Sequence, residues 1–129
     1  MNIFFATQNP VSKYNDEDGI RYDYPTRIPC GKQIKSGDLL IFIYSSKVTK
    51  RLKFGDKRII GIGEIDNITL YNNFEIEMAI ASYAWYKKLD PQISFDDIGG
   101  DIRSNVNNSI NKIKVIEQVN LLKNIIKYL

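Results

Sequence analysis

Histidine, the side chain that most often moves a proton or holds a zinc ion near neutral pH, does not occur anywhere in this sequence. Its absence removes every Ser-His and Cys-His dyad. With a single cysteine, Cys30, the chain has too few ligands for a structural zinc site or an internal disulfide framework. Gly61-Ile62-Gly63 lacks the third glycine of a dinucleotide fingerprint and sits inside a strand pattern, and no P-loop appears. Asp96, Asp97 and Asp101 could offer oxygens to a hard cation. Their spacing is not that of a calcium loop, and acids flanking a helix are ordinary solvated surface. No cofactor is expected. The residue types point to binding rather than to catalysis.

What the chain does carry is flat rings and a local run of positive charge. Of fifteen aromatic residues eight are tyrosines. Tyr14, Tyr22 and Tyr24 fall in a polar, proline-containing stretch, Tyr44 ends an apolar run, and Tyr83, Trp85 and Tyr86 close an alternating one. Rings of this kind either fill a core or provide a platform for a nucleobase, where stacking contributes about 1–3 kcal/mol per base. Between Lys47 and Arg58 stand Lys47, Lys50, Arg51, Lys53, Lys57 and Arg58 against one acid, Asp56. That local surplus exceeds the net charge of +3 for the whole chain. It suits contacts to phosphate, which are electrostatic and independent of base sequence; a solvated hairpin loop is the plainer reading of the same residues.

The elements that must position these groups can be read from hydrophobic period. A chain of 129 residues, 43% apolar and 26% charged, fits one domain, 1–129, with one core. Asn2 to Thr7 reads as a first strand, followed by a long ordered connection over 9–37 that holds all but one of the prolines. Gly37-Asp38 turns the chain into a strand over 39–44, apolar on both faces and therefore central. Arg58 to Leu70 is another strand, and Gly61 and Gly63 on one of its faces predict a bulge, a bend or close approach by another group. From 74 onward the alternation assigns Phe74, Ile76, Met78 and Ile80 to the core and Glu75, Glu77, Ala79 and Ala81 to the opposite face. The Asn-rich stretch 105–111 is turn-like. Val115, Ile116, Val119, Leu122, Ile125, Ile126 and Leu129 recur at the spacing of an amphipathic helix. The expected fold class is α+β, a small twisted sheet curling toward a barrel. No apolar run reaches the roughly 20 residues that span a bilayer, and the N-terminus lacks secretory features, so the expected compartment is the cytoplasm.

The order Gly19-Ile20-Arg21-Tyr22-Asp23-Tyr24-Pro25, then Ile34-Lys35-Ser36-Gly37-Asp38-Leu39-Leu40-Ile41-Phe42-Ile43-Tyr44, a basic gap, and Ile59-Ile60-Gly61-Ile62-Gly63-Glu64-Ile65 resembles the EVE-type branch of the PUA-like superfamily, relatives of the YTH and SRA base readers. Ile93 to Ile98 and the terminal helix are similar to that group's usual ending. The resemblance implies a curved sheet or partial β-barrel with flanking helices and a pocket for one flipped, often methylated, base. It implies DNA with a modified base as the partner, and a fused or associated nuclease or motor domain of a restriction or defence system. By that match Tyr22, Tyr24 and Tyr44 are pocket candidates with Ser45 and Ser46 offering edge hydrogen bonds, and Trp85 joins them from the end of its strand. Arg21, Lys47, Lys50, Arg51, Lys53, Lys57 and Arg58 are the phosphate-binding candidates. Two other classes remain open: a small hydrolase or nuclease using Asp/Glu chemistry, and a protein-interaction module.

Overall fold

The run Leu39–Tyr44 has no polar face to show to water, so it must be covered on both sides, and the sheet is organised around it. The structure, a computed structural model, describes residues 1–8, 20–44, 58–94 and 110–129. Its strands are β1 (Ile3–Gln8), β2 (Arg21–Pro25), β3 (Leu39–Tyr44), β4 (Arg58–Asn73), β5 (Ile76–Ser94) and β6 (Ile110–Lys112), followed by helix α1 (Val115–Ile125) and a short 3-10 turn, Ile126–Tyr128. They form one mixed sheet in the order β2-β5-β4-β3-β1-β6, with β1 parallel to β3 and the other pairs antiparallel. The sheet is curled into a half-barrel with the helix at its C-terminal end. This matches the expected curved sheet and terminal helix; among the described residues α1 is the one α-helix.

The two faces of β3 feed two cores. Leu39, Ile41 and Ile43 pack with Ile3, Phe5, Ile59, Ile62, Leu89 and Ile113 beneath Leu121 and Ile125 of α1. Leu40 and Phe42 pack on the other face with Phe4, Ala6, Tyr22, Tyr24, Ile34, Ile65, Ala79, Ala81 and Ile110. The second face is the concave one. Tyr22 on β2 lies three strands away from Phe42, which would be about 14 Å in a flat sheet. Their ring centroids are 5.4 Å apart, so the sheet folds over toward that side.

The turn before β3 is held by its own aspartate. Asp38 is buried, and its carboxylate accepts hydrogen bonds from the backbone N–H of Asn2 at 2.9 Å and of Lys35 at 2.8 Å. Its carbonyl accepts from Ile65 N–H, and Gly37 donates to the Ile65 carbonyl, both at 2.8 Å. Gly37 adopts φ 88°, a left-handed backbone that glycine takes without strain. One Gly-Asp pair thus ties the starts of β1 and β3 to β4.

Several expectations are corrected. The connection over 9–37 contains a strand, β2, which pairs with β5 from Arg21↔Ser82 to Pro25↔Met78. Pro25 is accommodated because it ends an edge strand. Ile110 and Asn111, expected in a turn, belong to β6 and pair with Ala6 and Phe5. The alternation over 74–81 does not separate core from solvent: Phe74 is 96% and Ile76 37% exposed, whereas Ala79 and Ala81 are buried. Residues 74–77 project past the end of β2, while along β2 Met78, Ala79 and Ala81 are buried and Ile80 and Ser82 half-buried. The buried stripe of α1 runs through Gln118, Leu121 and Ile125 with Leu122 half-buried, leaving Val119, Ile126 and Leu129 exposed.

Candidate aromatic binding face

A row of five rings lines the concave face, and each is positioned by a small residue on a neighbouring strand. On β2 the alternation sends Tyr22 and Tyr24 inward, in register with Ala81 and Ala79 of β5, whose methyl groups leave room for them. The two rings stack at 5.0 Å with 26° between planes. Phe42 of β3 packs edge-on to Tyr22 and reaches Tyr83 at 6.1 Å and Tyr86 at 6.0 Å. Tyr83 and Tyr86 lie 5.2 Å apart. The row therefore runs from Tyr24 through Tyr22 and Phe42 to the half-buried pair Tyr83 and Tyr86.

Tyr83 and Tyr86 of β5 meet Phe42 of β3 across the intervening β4, and this is where the two glycines act. A Cβ at Gly63 would lie 2.8 Å from Tyr83 Cδ1 and 3.1 Å from Tyr86 Cδ2, and one at Gly61 2.6 Å from Tyr86 Cζ. Any side chain at either position would occupy the space of a ring. The expected close approach by another group is thus met by two tyrosines.

A bulge decides which rings of β5 join the row. Glu64 pairs with Trp85 and Ile65 with Tyr83, so Ala84 is an extra residue with no partner. The inserted residue reverses the facing of Trp85 to Lys88 relative to the residues before it. Tyr83 and Tyr86 consequently share the concave side, and Trp85 falls opposite Glu64 on the other side, 40% exposed. Of the rings expected to converge, Tyr22 and Tyr24 come together and Trp85 does not. Tyr44 ends β3 with its side chain outside the described residues, as are Ser45 and Ser46. Phe42, Tyr83 and Tyr86 are not among the pocket residues that the sequence suggests; the i, i+2 glycines are the signal that points to the two tyrosines.

Polar groups at the face are few. The Tyr24 ring is 1% exposed, and its hydroxyl is buried with no hydrogen-bond partner among the described residues. Burial pushes its pKa from 10.0 up to about 12, because the phenolate would be poorly solvated. Arg21 is half-buried at the start of β2. On the far side of β2 the buried Asp23 carboxylate accepts hydrogen bonds from the Tyr71 hydroxyl at 2.8 and 2.9 Å. Among the described residues no group of three or more Cys, Asp or Glu is placed to hold a metal ion; Asp96, Asp97 and Asp101 lie outside them.

Of the phosphate-binding candidates, Lys47, Lys50, Arg51, Lys53 and Lys57 lie outside the described residues, and Arg58 is described only as the first backbone position of β4. The chain leaves β3 at Tyr44 and re-enters β4 at Arg58, and the register sets both ends close to the row: Phe42 pairs with Gly61. Gln8 pairs with Tyr44 and Arg58 with Ser94, so β1, β3, β4 and β5 all open at this end of the sheet. No helix among the described residues is long and apolar enough to cross a membrane. Comparison with models of protein families, with curated proteins and with solved structures found no match.

Proposed function

We propose that this chain is a nucleic-acid-binding domain in which the concave aromatic face receives a single base, with catalysis left to a partner domain or subunit. The observation that carries the reading is the ring row of Tyr22, Phe42, Tyr83 and Tyr86 beside the strand ends, Tyr44 and Arg58, that bracket the basic segment. A platform of rings favours a flat, uncharged ligand, and methylation adds apolar surface to a base without removing its π face. Lysine and arginine within a few residues of that platform supply phosphate affinity that has no sequence preference. The curled sheet with its C-terminal helix agrees with the PUA-like, EVE-type architecture that the motifs resemble, and the proposed partner is DNA carrying a modified base. Stacking partners in this reading are Tyr83 and Tyr86, the rings of the row that retain access to solvent.

Labelled DNA duplexes, plain or carrying methylated cytosine or adenine, test the reading when titrated at several salt concentrations. Reversing Lys50, Arg51 and Lys53 to glutamate is expected to weaken all duplexes alike and to flatten the salt slope by about 0.9 for each phosphate no longer neutralised. Tyr83→Ala is expected to abolish the preference for the modified duplex while leaving salt-sensitive binding. Binding that is indifferent to salt, to modification and to both variants would refute the proposal.

A further inference from the structure

Buried hydroxyl groups in folded proteins almost always have a hydrogen-bond partner, and one without a partner calls for an explanation. Tyr24 holds such a hydroxyl at the inner end of the aromatic row. Tyr24 pairs with Ala79 and shares a hydrophobic core with Phe4, Ile34 and Leu40, and loss of solvation is what raises its pKa. Nothing in a purely structural role requires the oxygen, since phenylalanine would fill the same volume and would not strand a polar atom. We infer that Tyr24 is the specificity-determining residue of the aromatic face: a planar ligand held in the aromatic row turns one edge toward Tyr24 and accepts a hydrogen bond from its hydroxyl. The inference rests on the proposed function and names the chemistry that function selects.

The ligand class follows from the surroundings. An apolar cluster penalises a charged group severely, so the ligand is a neutral flat heterocycle. The partner proposed for the hydroxyl is an acceptor, a carbonyl oxygen or an unprotonated ring nitrogen, and Tyr24 keeps its proton throughout the neutral range to donate to it. Access runs along the row. Tyr22 is the ring stacked on Tyr24, it is 7% exposed against 1% for Tyr24, and it belongs to the short edge strand β2.

Tyr24→Phe separates the roles of ring and hydroxyl. The full chain, its Tyr24→Phe variant and its Tyr83→Ala variant are titrated with duplexes carrying 5-methylcytosine, N6-methyladenine or no modification, and each protein is melted without DNA. The expected result is a Tyr24→Phe protein that melts a few degrees higher, since no bond is lost in the free state. It should bind the preferred duplex roughly fivefold to tenfold more weakly, the value of one hydrogen bond, with the plain duplex unchanged. Three results overturn the inference: unaltered discrimination, equal weakening of every duplex, or a lower melting temperature, which would reveal a hydroxyl already bonded within the fold. A parent protein that discriminates while Tyr24→Phe does so equally well sinks this inference and spares the proposed function. A parent that does not discriminate at all sinks both.

Discussion

Replacing Gly61 with alanine puts a methyl group where Tyr86 already lies. A Cβ there would meet the ring at 2.6 Å from Cζ and 3.3 Å from Cε1, with the phenol oxygen nearer still. The three nearest atoms all belong to Tyr86, so that ring is what must move. In moving it gives up its packing on Phe42 at 6.0 Å and on Tyr83 at 5.2 Å. Aromatic pairs of this kind contribute about 0.5–1.5 kcal/mol each, which sets the cost of Gly61→Ala at about 1–3 kcal/mol. With Tyr86→Ala already in place the obstruction is gone. The added methyl then only restricts the unfolded chain, and the same substitution should stabilise by about 0.5–1 kcal/mol. The effect therefore changes sign between the two backgrounds, a coupling of about 1.5–4 kcal/mol. Urea unfolding of the four proteins, followed by intrinsic fluorescence, measures it. An equal cost of Gly61→Ala in both backgrounds would mean that the ring of Tyr86 is not what restricts this position to glycine.

Ala79→Asp should unfold the domain, because it buries a charge between Tyr24 and the rest of the concave core, whereas Ile76→Asp on the projecting hairpin should cost less than about 1 kcal/mol; thermal melts that rank them the other way would reverse the facing of β5. Phe74 sits at the tip of that hairpin with φ 57° and 96% exposure, so its backbone is strained while its ring is unpacked. Phe74→Gly should raise stability by about 1 kcal/mol, and a lower denaturant midpoint would show that the ring packs against a neighbour. Tyr24 holds its proton more tightly folded, with a pKa of about 12, than unfolded at 10.0. Its contribution is complete below pH 10 and is lost as pH rises toward 12, roughly 2–3 kcal/mol in all. Alkaline unfolding curves of the parent should bend in that window, and those of Tyr24→Phe should lack the component.

The sequence by itself determined the elements whose identity is local. Leu39 to Ile43 is apolar at every position, so burial on both faces followed without knowledge of any partner, and Gly37-Asp38 announced the turn before it. The spacing of the glycines at 61 and 63 announced a close approach, and the apolar period after 115 announced a helix. What tertiary structure decided were the matters set by distant partners. Strand facing is a parity, and a single unpartnered residue reverses it; that Ala84 is extra depends on how β5 meets Glu64 and Ile65 some twenty positions earlier, which no window of sequence contains. The rings of the row accordingly came out as Tyr83 and Tyr86, with Trp85 on the other side. Likewise Ala79 and Ala81 read as the weak side of their strand until β2 arrives from residues 21–25 with two tyrosines to set against them. The apolar stripe of the terminal helix is wider than the surface available to cover it, so the position of Ile113 and the sheet, rather than the period, selected Leu121 and Ile125 for burial. A local pattern states how much apolar surface a segment must hide; only the packed partners determine which of it is hidden.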